Sequence, residues 1–203
     1  MKHNPYSGKF IAFDGPNGSG KTTLIDEIKK ELTKAGISAL YTKEPTETES
    51  GLFARRFAEE SNGVSLACIV AADRYNHLEK VIIPNLEKGI PVISDRYVLS
   101  SYILQAMDGV DNSFITAING NIILPDLQII VTAEAKTLKE RLSEREELTR
   151  FEKGDQSQQE LETMHEGIEI LKNLNVRCIV VDNDNKLENN VKTVTEEIIK
   201  LLT

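Results

Sequence analysis

The chain has 203 residues, 40% of them hydrophobic and 28% charged, and a formal net charge of -8. These proportions are typical of a globular protein with a buried core, and they exclude a disordered or fibrous chain. The negative charge and the lack of a basic tail or stripe argue against a nucleic acid as the partner.

Short apolar runs alternate with longer segments of helical period, which predicts an α/β fold with a parallel sheet and helices on both faces. No linker rich in Pro, Gly or Ser divides the chain, so we expect a single domain over residues 1–203. Five strands are predicted, at Lys9–Asp14, Ser38–Lys43, Ile90–Asp95, Leu127–Thr132 and Arg177–Asp182.

Helices are predicted in the gaps between these strands, and Pro84 is expected to interrupt the third of them. In chain order they are Lys21–Ala35, Glu49–Glu60, Ser65–Lys88, Leu99–Met107, Asn112–Asn119, Ala135–Glu144, Gln156–Asn173 and Glu188–Leu202.

Residues 15–22 match the pattern G-x-x-x-x-G-K-[ST] between the first strand and the first helix, which is the context this pattern needs. Backbone N–H groups of such a loop face phosphate oxygens, Lys21 reaches the β- and γ-phosphates, and Thr22 supplies an oxygen to Mg²⁺. The alternative to a phosphate-binding loop is a glycine-rich turn that matches the pattern by chance. The predicted ATP-binding residues are Gly15, Pro16, Asn17, Gly18, Ser19, Gly20, Lys21, Thr22 and Thr23.

Charged residues also follow other predicted strands at the same edge of the sheet, where ligands bind in such folds. Asp95 and Arg96 close the third strand, which places a carboxylate near the metal and a guanidinium near phosphate. Arg55 and Arg74 lie on preceding helices, so three cations can converge on one phosphate monoester. A surface ion pair is the alternative for Asp95 and Arg96.

Over nearly its whole length the chain resembles the thymidylate kinase family, whose fold is the three-layer P-loop NTPase fold with a short lid. The matching residues are Asp14 to Thr23, Glu44-Pro45 with Gly51 and Arg55, Ala72-Asp73-Arg74 with His77, Pro84, Leu86 and Gly89, Asp95-Arg96-Tyr97 with Ser100, Ser101 and Gln105, Pro125-Asp126-Leu127, and Arg141, Arg145 and Arg150-Phe151-Glu152. The resemblance implies ATP-dependent, Mg²⁺-dependent phosphorylation of a nucleoside monophosphate, with dTMP as the first-choice acceptor. It also implies a homodimer formed through helices such as Ser65–Lys88.

The same resemblance implies roles for individual residues. Arg55, Arg74 and Arg96 would hold the acceptor monophosphate, while Ser101 and Gln105 would face the base. The implied acceptor-binding set is Asp14, Asn17, Glu44, Arg55, Val70, Arg74, Arg96, Ser101, Leu104 and Gln105. The implied catalytic residues are Lys21, Asp95, Arg96, Arg145 and Arg150, and the implied metal ligands are Thr22 and Asp95. For His77 we expect a structural hydrogen bond rather than proton transfer.

Residues 141–155 resemble the mobile lid of this family. Arg141, Arg145 and Arg150 would close over the transferring phosphoryl group, and at least one of them is expected to contact phosphate. The alternative is a solvated helix, because glutamates are interleaved with these arginines.

The chain departs from the family pattern at several positions that face the acceptor. Asn17 replaces an acidic residue, Val70 replaces the aromatic that stacks on thymine, and Leu104 replaces an aromatic near the deoxyribose. Thr46 and Glu47 replace glycines. The loss of stacking at Val70 is expected to weaken dTMP binding by about tenfold or more. The alternative is that the ring of Phe53, Phe57 or Tyr75 fills this role from a shifted position.

Two other functions remain open at this point. A kinase for a nucleoside or another small metabolite shares the phosphate loop, although it would not need three converging arginines. A catalytically lapsed relative would keep ATP binding and regulate a partner.

The two cysteines and the polar N-terminus indicate the compartment. Cys68 and Cys178 lie in apolar runs far apart in the sequence, which predicts buried free thiols and suits a reducing cytoplasm. Residues 1–9 lack an apolar signal core, and no apolar run is long enough to span a bilayer, so we expect no membrane association.

Overall fold

The computed structural model describes residues 1–154, 156–184 and 187–203. At its centre is a sheet of five strands in the order β2-β3-β1-β4-β5, with every neighbouring pair parallel. The strands are β1 (Phe10–Asp14), β2 (Leu40–Lys43), β3 (Val92–Asp95), β4 (Leu127–Thr132) and β5 (Cys178–Asp182). Each lies within its predicted range, and the predicted α/β fold class is confirmed.

Helices cover both faces of this sheet. They are α1 (Lys21–Lys34), α2 (Glu49–Glu60), α3 (Gly63–His77), α4 (Ile83–Glu87), α5 (Val98–Met107), α6 (Asn112–Ile118), α7 (Ala135–Ser143), α8 (Ser157–Asn173) and α9 (Leu187–Leu202), with a 3₁₀ turn at Arg150–Glu152. None of the helices in the described ranges is both long and apolar enough to cross a lipid bilayer.

The α-helix predicted over Ser65–Lys88 is interrupted by a π-helical turn that ends just before Pro84. Helical backbone continues from α3 into α4 through a π-helical turn at Leu78–Ile82. Pro84 lies in the first turn of α4. The first N–H groups of a helix have no partner within it, so a residue without an N–H is tolerated there.

Alternating side chains of β1 enter two separate cores, because successive residues of a strand point to opposite faces. Phe10 and Ala12 pack in a cluster with residues of α5 and α8. Ile11 and Phe13 pack in a second cluster with residues of α1 and α9. This burial on both faces explains why β1 reads as an unbroken apolar run.

Close packing of α8 on α5 brings the start of α8 to the functional edge of the sheet. A Cβ added at Gly167 of α8 would lie 2.7 Å from both Leu99 Cδ1 and Tyr102 Cβ of α5. A larger residue would push the two helices apart. This glycine therefore sets the distance at which the first turns of α8 approach the loop after β1.

The expectation of buried thiols is wrong for Cys68 and only partly right for Cys178. Both cysteines are free, but Cys68 is exposed and Cys178 is half-buried. Cys68 follows buried Leu66 and Ala67 on α3, and each helical residue turns by about 100° from the last, which carries Cys68 to the outer face. An apolar sequence run on a helix does not imply that every residue in it is buried.

Candidate active site

The loop between β1 and α1 adopts a backbone that requires glycine. Gly15 and Gly20 have φ angles of 149° and 85°. A Cβ on Gly15 would lie 2.0 Å from the carbonyl oxygen of Val131 in the neighbouring strand. Gly20 directly precedes α1, so the unpaired N–H groups of the first helical turn face the loop. The arrangement offers backbone donors to an anion.

Lys21, the first residue of α1, folds back over this loop. Its Nζ atom donates hydrogen bonds to the carbonyl oxygens of Gly15 and Pro16, at 3.0 and 2.7 Å. Burial, together with the smaller effect of the positive charge of Arg96, lowers the pKa of Lys21 to about 7. A phosphate group entering the loop would favour the charged ammonium, because a nearby anion raises the pKa of a lysine.

A cavity of about 170 Å³, which we call the donor cavity, opens beside the loop. It is lined by Asn17, Gly18, Gly20, Lys21, Thr22, Thr23, Asp95, Arg96, Arg145 and Glu152. Within it the Thr22 hydroxyl donates a 2.8 Å hydrogen bond to Asp95 Oδ2. A hydroxyl and a carboxylate are hard oxygen ligands, and Mg²⁺ bound with a nucleotide needs only one or two of these from the protein. These two residues therefore fit the ion.

A second cavity of about 250 Å³, which we call the acceptor cavity, adjoins the first. It is lined by Asn17, Glu44, Pro45, Ala54, Arg55, Ala58, Glu59, Leu66, Val70, Arg74, Arg96, Tyr97, Ser100, Ser101, Leu104, Gln105, Thr149, Phe151 and Glu152. Three residues, Asn17, Arg96 and Glu152, line both cavities. The boundary between a phosphate-binding loop and a neighbouring cavity is the place where a phosphoryl group can pass from one ligand to another.

Asp14 lies behind the acceptor cavity and not in its wall, which corrects the expectation that it contacts the acceptor. It is fully buried. Its Oδ1 atom accepts from the backbone N–H groups of Tyr97 and Ser100, both at 3.0 Å, and from the Ser100 hydroxyl at 2.5 Å. Gln128 Nε2 donates to Oδ2 at 3.0 Å. Burial raises the pKa of Asp14, and the donors from Ser100 and Tyr97 oppose that rise. The carboxylate fixes the start of α5.

Arg74 lines the acceptor cavity with Arg55 and Arg96, but most of its N–H groups are committed within the protein. Its guanidinium donates to Glu44 Oε2 at 2.9 Å and to the Ser101 hydroxyl at 3.1 Å. It also donates to Asn119 Oδ1 at 2.8 Å and to the Tyr97 carbonyl at 3.2 Å. Only 1% of the residue is exposed. The bond to Ser101 places Arg74 beside a residue predicted to face the base.

Glu44 extends this buried network to His77. His77 Nδ1 donates to Glu44 Oε1 at 3.1 Å, since a carboxylate can only accept. On the other side of the ring, Nε2 lies 2.7 Å from the Thr42 hydroxyl. The hydrogen bonding predicted for His77 is present.

Thr46, one of the positions predicted to depart from the family pattern, makes through its hydroxyl a bond that glycine could not make. Its hydroxyl donates to Asp73 Oδ1 at 2.7 Å, and its N–H donates to Oδ2 of the same carboxylate at 2.8 Å. The Ser50 hydroxyl adds a third bond to Asp73 at 2.6 Å. The substitution thus ties the segment after β2 to α3.

Arg55 and Arg96 line the acceptor cavity with more free hydrogen-bonding capacity than Arg74. Arg55 donates to the Pro45 carbonyl and, at 3.3 Å, to Glu47, and 35% of its side chain is exposed. Arg96 has a φ of 71°, unusual for a residue with a side chain. Its guanidinium donates to Asn17 Oδ1 at 2.7 Å and to the Ser100 hydroxyl at 3.1 Å. Both side chains keep N–H groups for an anion.

The three lid arginines, Arg141, Arg145 and Arg150, have different surroundings. Residue 155 of the predicted lid lies outside the described residues. Arg150 donates to both carboxylate oxygens of Asp108, at 2.8 and 2.7 Å, and to the Ala58 carbonyl at 2.7 Å. Arg141 donates to the Asn183 carbonyl at 2.8 Å. Arg145 pairs with Glu152 and lines the donor cavity. Arg150 therefore holds the lid to α2 and α5, and Arg145 faces the donor cavity.

Two aromatic rings line the acceptor cavity, those of Tyr97 and Phe151, and neither was among the predicted candidates. Phe53 and Phe57 pack against each other with centroids 5.7 Å apart, and the Tyr75 hydroxyl donates to the Ile118 carbonyl. None of the three lines the cavity. Phe151, next to the Arg150 contact, does line it, in the same wall set as Val70 and Leu104. The lid thus supplies a ring that the helices lack.

Sequence reasoning missed several residues that complete the site. Glu160 accepts from Asn17, Asn119 accepts from Arg74, and Asp108 holds Arg150. Asn183 donates to the Ser19 carbonyl at 2.8 Å. The uncharged Asn17, at a loop position where an acid is expected, is the one sequence signal that could have prompted a search for an acid elsewhere in the chain. The start of α8 carries two glutamates, however, and only the tertiary structure distinguishes Glu160 from Glu162.

The fold and the two adjoining cavities define the class of protein, a P-loop phosphotransferase with one site for a nucleotide and one for an acceptor. The family model for thymidylate kinase matches residues 13–194. The chain belongs to the thymidylate kinase family.

Curated relatives agree with this assignment. The thymidylate kinase of Caldicellulosiruptor saccharolyticus is 40% identical over 143 residues, which cover 66% of this chain and 69% of the relative. The thymidylate kinase of Acholeplasma laidlawii is 32% identical over an alignment that covers 95% of this chain and 100% of the relative. The probable thymidylate kinase of Pyrococcus horikoshii is 36% identical, covering 72% of this chain and 75% of the relative. Nothing in these comparisons favours a nucleoside kinase or a lapsed relative.

Proposed function

We propose that the protein transfers the γ-phosphoryl group of ATP to dTMP, giving ADP and dTDP. The observation that carries this proposal is the meeting of the donor and acceptor cavities at Asn17, Arg96 and Glu152. The family membership and the names of the relatives support the choice of acceptor. We propose residues 1–203 as one domain with a lid at about 141–155, because both buried clusters pack on the same sheet.

The ATP phosphates would lie along residues 15–23, with backbone N–H groups and Lys21 as their donors. Thr22 and Asp95 would hold Mg²⁺, which neutralises charge on the β- and γ-phosphates when it is bound. This transfer needs little covalent chemistry from the protein. Alignment of the two phosphates and positive charge from Lys21, Arg96 and Arg145 would lower the barrier.

The acceptor would lie with its phosphate near Arg55 and Arg96 and its base toward Ser101 and Gln105. Arg74 lies at that base end and has one N–H left after its four bonds. The Arg150 guanidinium lies over one face of the Phe151 ring, 4.1 Å from its centroid, and the opposite face would supply the stacking that Val70 cannot. Base-aromatic stacking contributes roughly 1 to 3 kcal/mol, so lid closure and acceptor binding would favour each other.

A coupled ADP-release assay across the deoxynucleoside monophosphates and thymidine tests this function. We expect the highest kcat/KM with dTMP. Arg55→Met should raise the KM for dTMP by about tenfold or more, because a charge-assisted hydrogen bond to phosphate is lost. Arg56→Met, at the neighbouring position on the same helix, is the matched control. Turnover of none of the monophosphates overturns the proposal. Preference for another base overturns only the thymine part, and preference for thymidine supports a nucleoside kinase.

We also propose a homodimer in the cytoplasm. Leu52, Phe53, Val64 and Cys68 form an exposed surface of α2 and α3, which we call the α2–α3 patch. Phe53 and Val64 are 46% and 53% exposed, and grouped apolar exposure is typical of an interface. Free thiols suit a reducing compartment.

The dimer is tested by light scattering on a size-exclusion column. We expect twice the chain mass of 22.7 kDa for the unaltered protein and a shift to the monomer for Phe53→Lys. Val180→Lys alters another exposed apolar residue, on the edge strand β5, and should leave the dimer intact. A monomeric unaltered protein at micromolar concentration, or a dimer that persists in Phe53→Lys, would contradict this interface.

A further inference from the structure

Glu160, in the first turns of α8, is a buried acid in contact with the phosphate loop. Only 2% of the residue is exposed. Its Oε2 atom accepts the backbone N–H of Asn17 at 2.6 Å, and its Oε1 atom accepts Asn17 Nδ2 at 3.1 Å. Both carboxylate oxygens are therefore used on a single residue. A buried charge is retained only where it is well paired, so this contact is not an incidental one.

These bonds determine which way the Asn17 amide points. Nδ2 faces Glu160, so Oδ1 faces Arg96 and accepts from its NH2 group at 2.7 Å. Arg96 in turn donates from NH1 to the Ser100 hydroxyl at 3.1 Å. The acid on α8 thus acts on the guanidinium at the boundary of the two cavities through an uncharged residue between them.

We propose that Glu160 is a positioning residue for phosphoryl transfer, and that it acts with Asn17 as a charge-matched pair that aims the Arg96 guanidinium between donor and acceptor. The proposal rests on the proposed function of the same site. Glu160 itself lines neither cavity, so it acts through Asn17 and not on a substrate.

The positive charges around Glu160 and Asn17 stabilise a single negative charge on this pair of residues. Arg96, from the corner between β3 and α5, and Lys21, from α1, both face Glu160 and lower its pKa. Burial is the larger effect and raises the pKa of Glu160, while the two Asn17 donors lower it. A second carboxylate in contact with Glu160 would have to share a proton with it.

Exchanging the two side chains tests the pair. Asn17→Asp places a second carboxylate in contact with that of Glu160, and the two negative charges repel each other. Glu160→Gln presents an amide donor to the Asn17 donors, so the Asn17 amide must turn and face Arg96 with its NH2 group. In the double variant, the amide at position 160 can accept the backbone N–H of residue 17 and donate to the carboxylate at position 17, whose other oxygen accepts from Arg96. All bonds are then restored with the charge moved to the loop.

We expect each single variant to lower kcat/KM for dTMP by about tenfold to 100-fold, since small misplacement of a catalytic group has effects of this size. The double variant should recover to within about threefold of the unaltered protein. Glu162→Gln, on the same helix and outside this contact, should have no effect. Circular dichroism and thermal unfolding verify that each variant is folded.

A pH profile separates positioning from a purely structural role. In Asn17→Asp, one carboxylate of the pair has a raised pKa, and its protonated form restores the hydrogen bond. Relative to the unaltered protein, kcat/KM should therefore be higher at about pH 6 and fall as the pH rises. The double variant, with one carboxylate, should show no such trend.

Either of two results overturns the proposal: single variants with unaltered kcat/KM, or a folded double variant that is no faster than the slower single. If a single variant does not fold, Glu160→Asp replaces it, since this change keeps the charge and shortens the side chain. Unaltered kinetics in Glu160→Asp, together with no recovery in the double variant, also overturn it. Absence of turnover in the unaltered protein is a failure of the proposed function instead.

Discussion

Replacing Lys21 with methionine is expected to lower kcat by about 10²- to 10³-fold, the effect of removing one preorganised donor from a developing anion. Methionine keeps an unbranched apolar side chain in the buried position, so the phosphate loop is not left with a void. Steady-state ADP formation with saturating ATP and dTMP measures the loss. Lys30→Met alters an exposed lysine of the same helix, and kcat should be retained. A kcat within about threefold of the unaltered protein in Lys21→Met would contradict the assigned role.

The pKa of Lys21 adds a pH dependence to ATP binding. In the free protein burial lowers this pKa to about 7, and bound phosphate raises it. Above about pH 7 the free protein has lost the proton that the complex holds, so binding takes up close to one proton per ATP and affinity falls as the pH rises. Calorimetry at about pH 8 in buffers of different ionisation enthalpy measures this uptake. Subtracting the proton uptake of Lys21→Met from that of the unaltered protein removes the contribution of the nucleotide's own titration. Equal proton uptake in the two proteins would contradict the lowered pKa of Lys21.

Replacing Arg74 with methionine is expected to destabilise the fold by about 3 to 5 kcal/mol, which is typical when one partner of a buried ion pair is removed. The change leaves the Glu44 carboxylate, with a side chain 4% exposed, without its guanidinium partner. Asn119 Oδ1 and the Tyr97 carbonyl lose a donor as well. Urea unfolding followed by circular dichroism measures the free energy of unfolding.

A surface ion pair provides the matched control for Arg74. Arg177 contacts Glu197, and 51% of the Arg177 side chain is exposed. Because exposed pairs contribute little, Arg177→Met should lower the free energy of unfolding by less than about 1 kcal/mol. The double change Glu44→Gln with Arg74→Met should recover part of the loss, since the uncompensated buried charge is removed. Equal effects of Arg74→Met and Arg177→Met would contradict the importance of the buried network.

The buried position of Arg74 also decides how the acceptor is tested. If Arg74 were a free phosphate ligand, its replacement would report directly on the phosphorylated acceptor. In the structure its replacement disturbs Glu44, Ser101 and Asn119 together, so a loss of affinity would be ambiguous. Arg55 lies at the cavity wall with a partly exposed side chain, and its variant separates affinity from stability.

The elements of the fold were largely predictable because their signals are local. Apolar runs such as Phe10–Asp14 and Leu127–Thr132 are recognisable without knowledge of their neighbours. The errors occurred where the neighbours decide. Cys68 is exposed and Cys178 is half-buried, although both lie in apolar runs of the sequence.

The site divides in the same way. The phosphate loop could be predicted because a few consecutive residues make the whole motif, with glycine required at Gly15 by a single close carbonyl. The acceptor side depends on residues far apart in the chain. Arg74 meets Asn119, Arg150 meets Asp108, and Asn17 meets Glu160, and no spacing in the sequence announces these pairs.

The class of fold, the place of the triphosphate site and the likeness to thymidylate kinases could be read from short segments in order along the chain. Which charged groups are free and which are committed became visible only once the chain was packed. A guanidinium has the same formal charge whether it meets a substrate phosphate or a buried carboxylate, and only packing distinguishes the two. For this protein packing buries Arg74, fastens Arg150, and leaves Arg55, Arg96 and Arg145 facing the cavities.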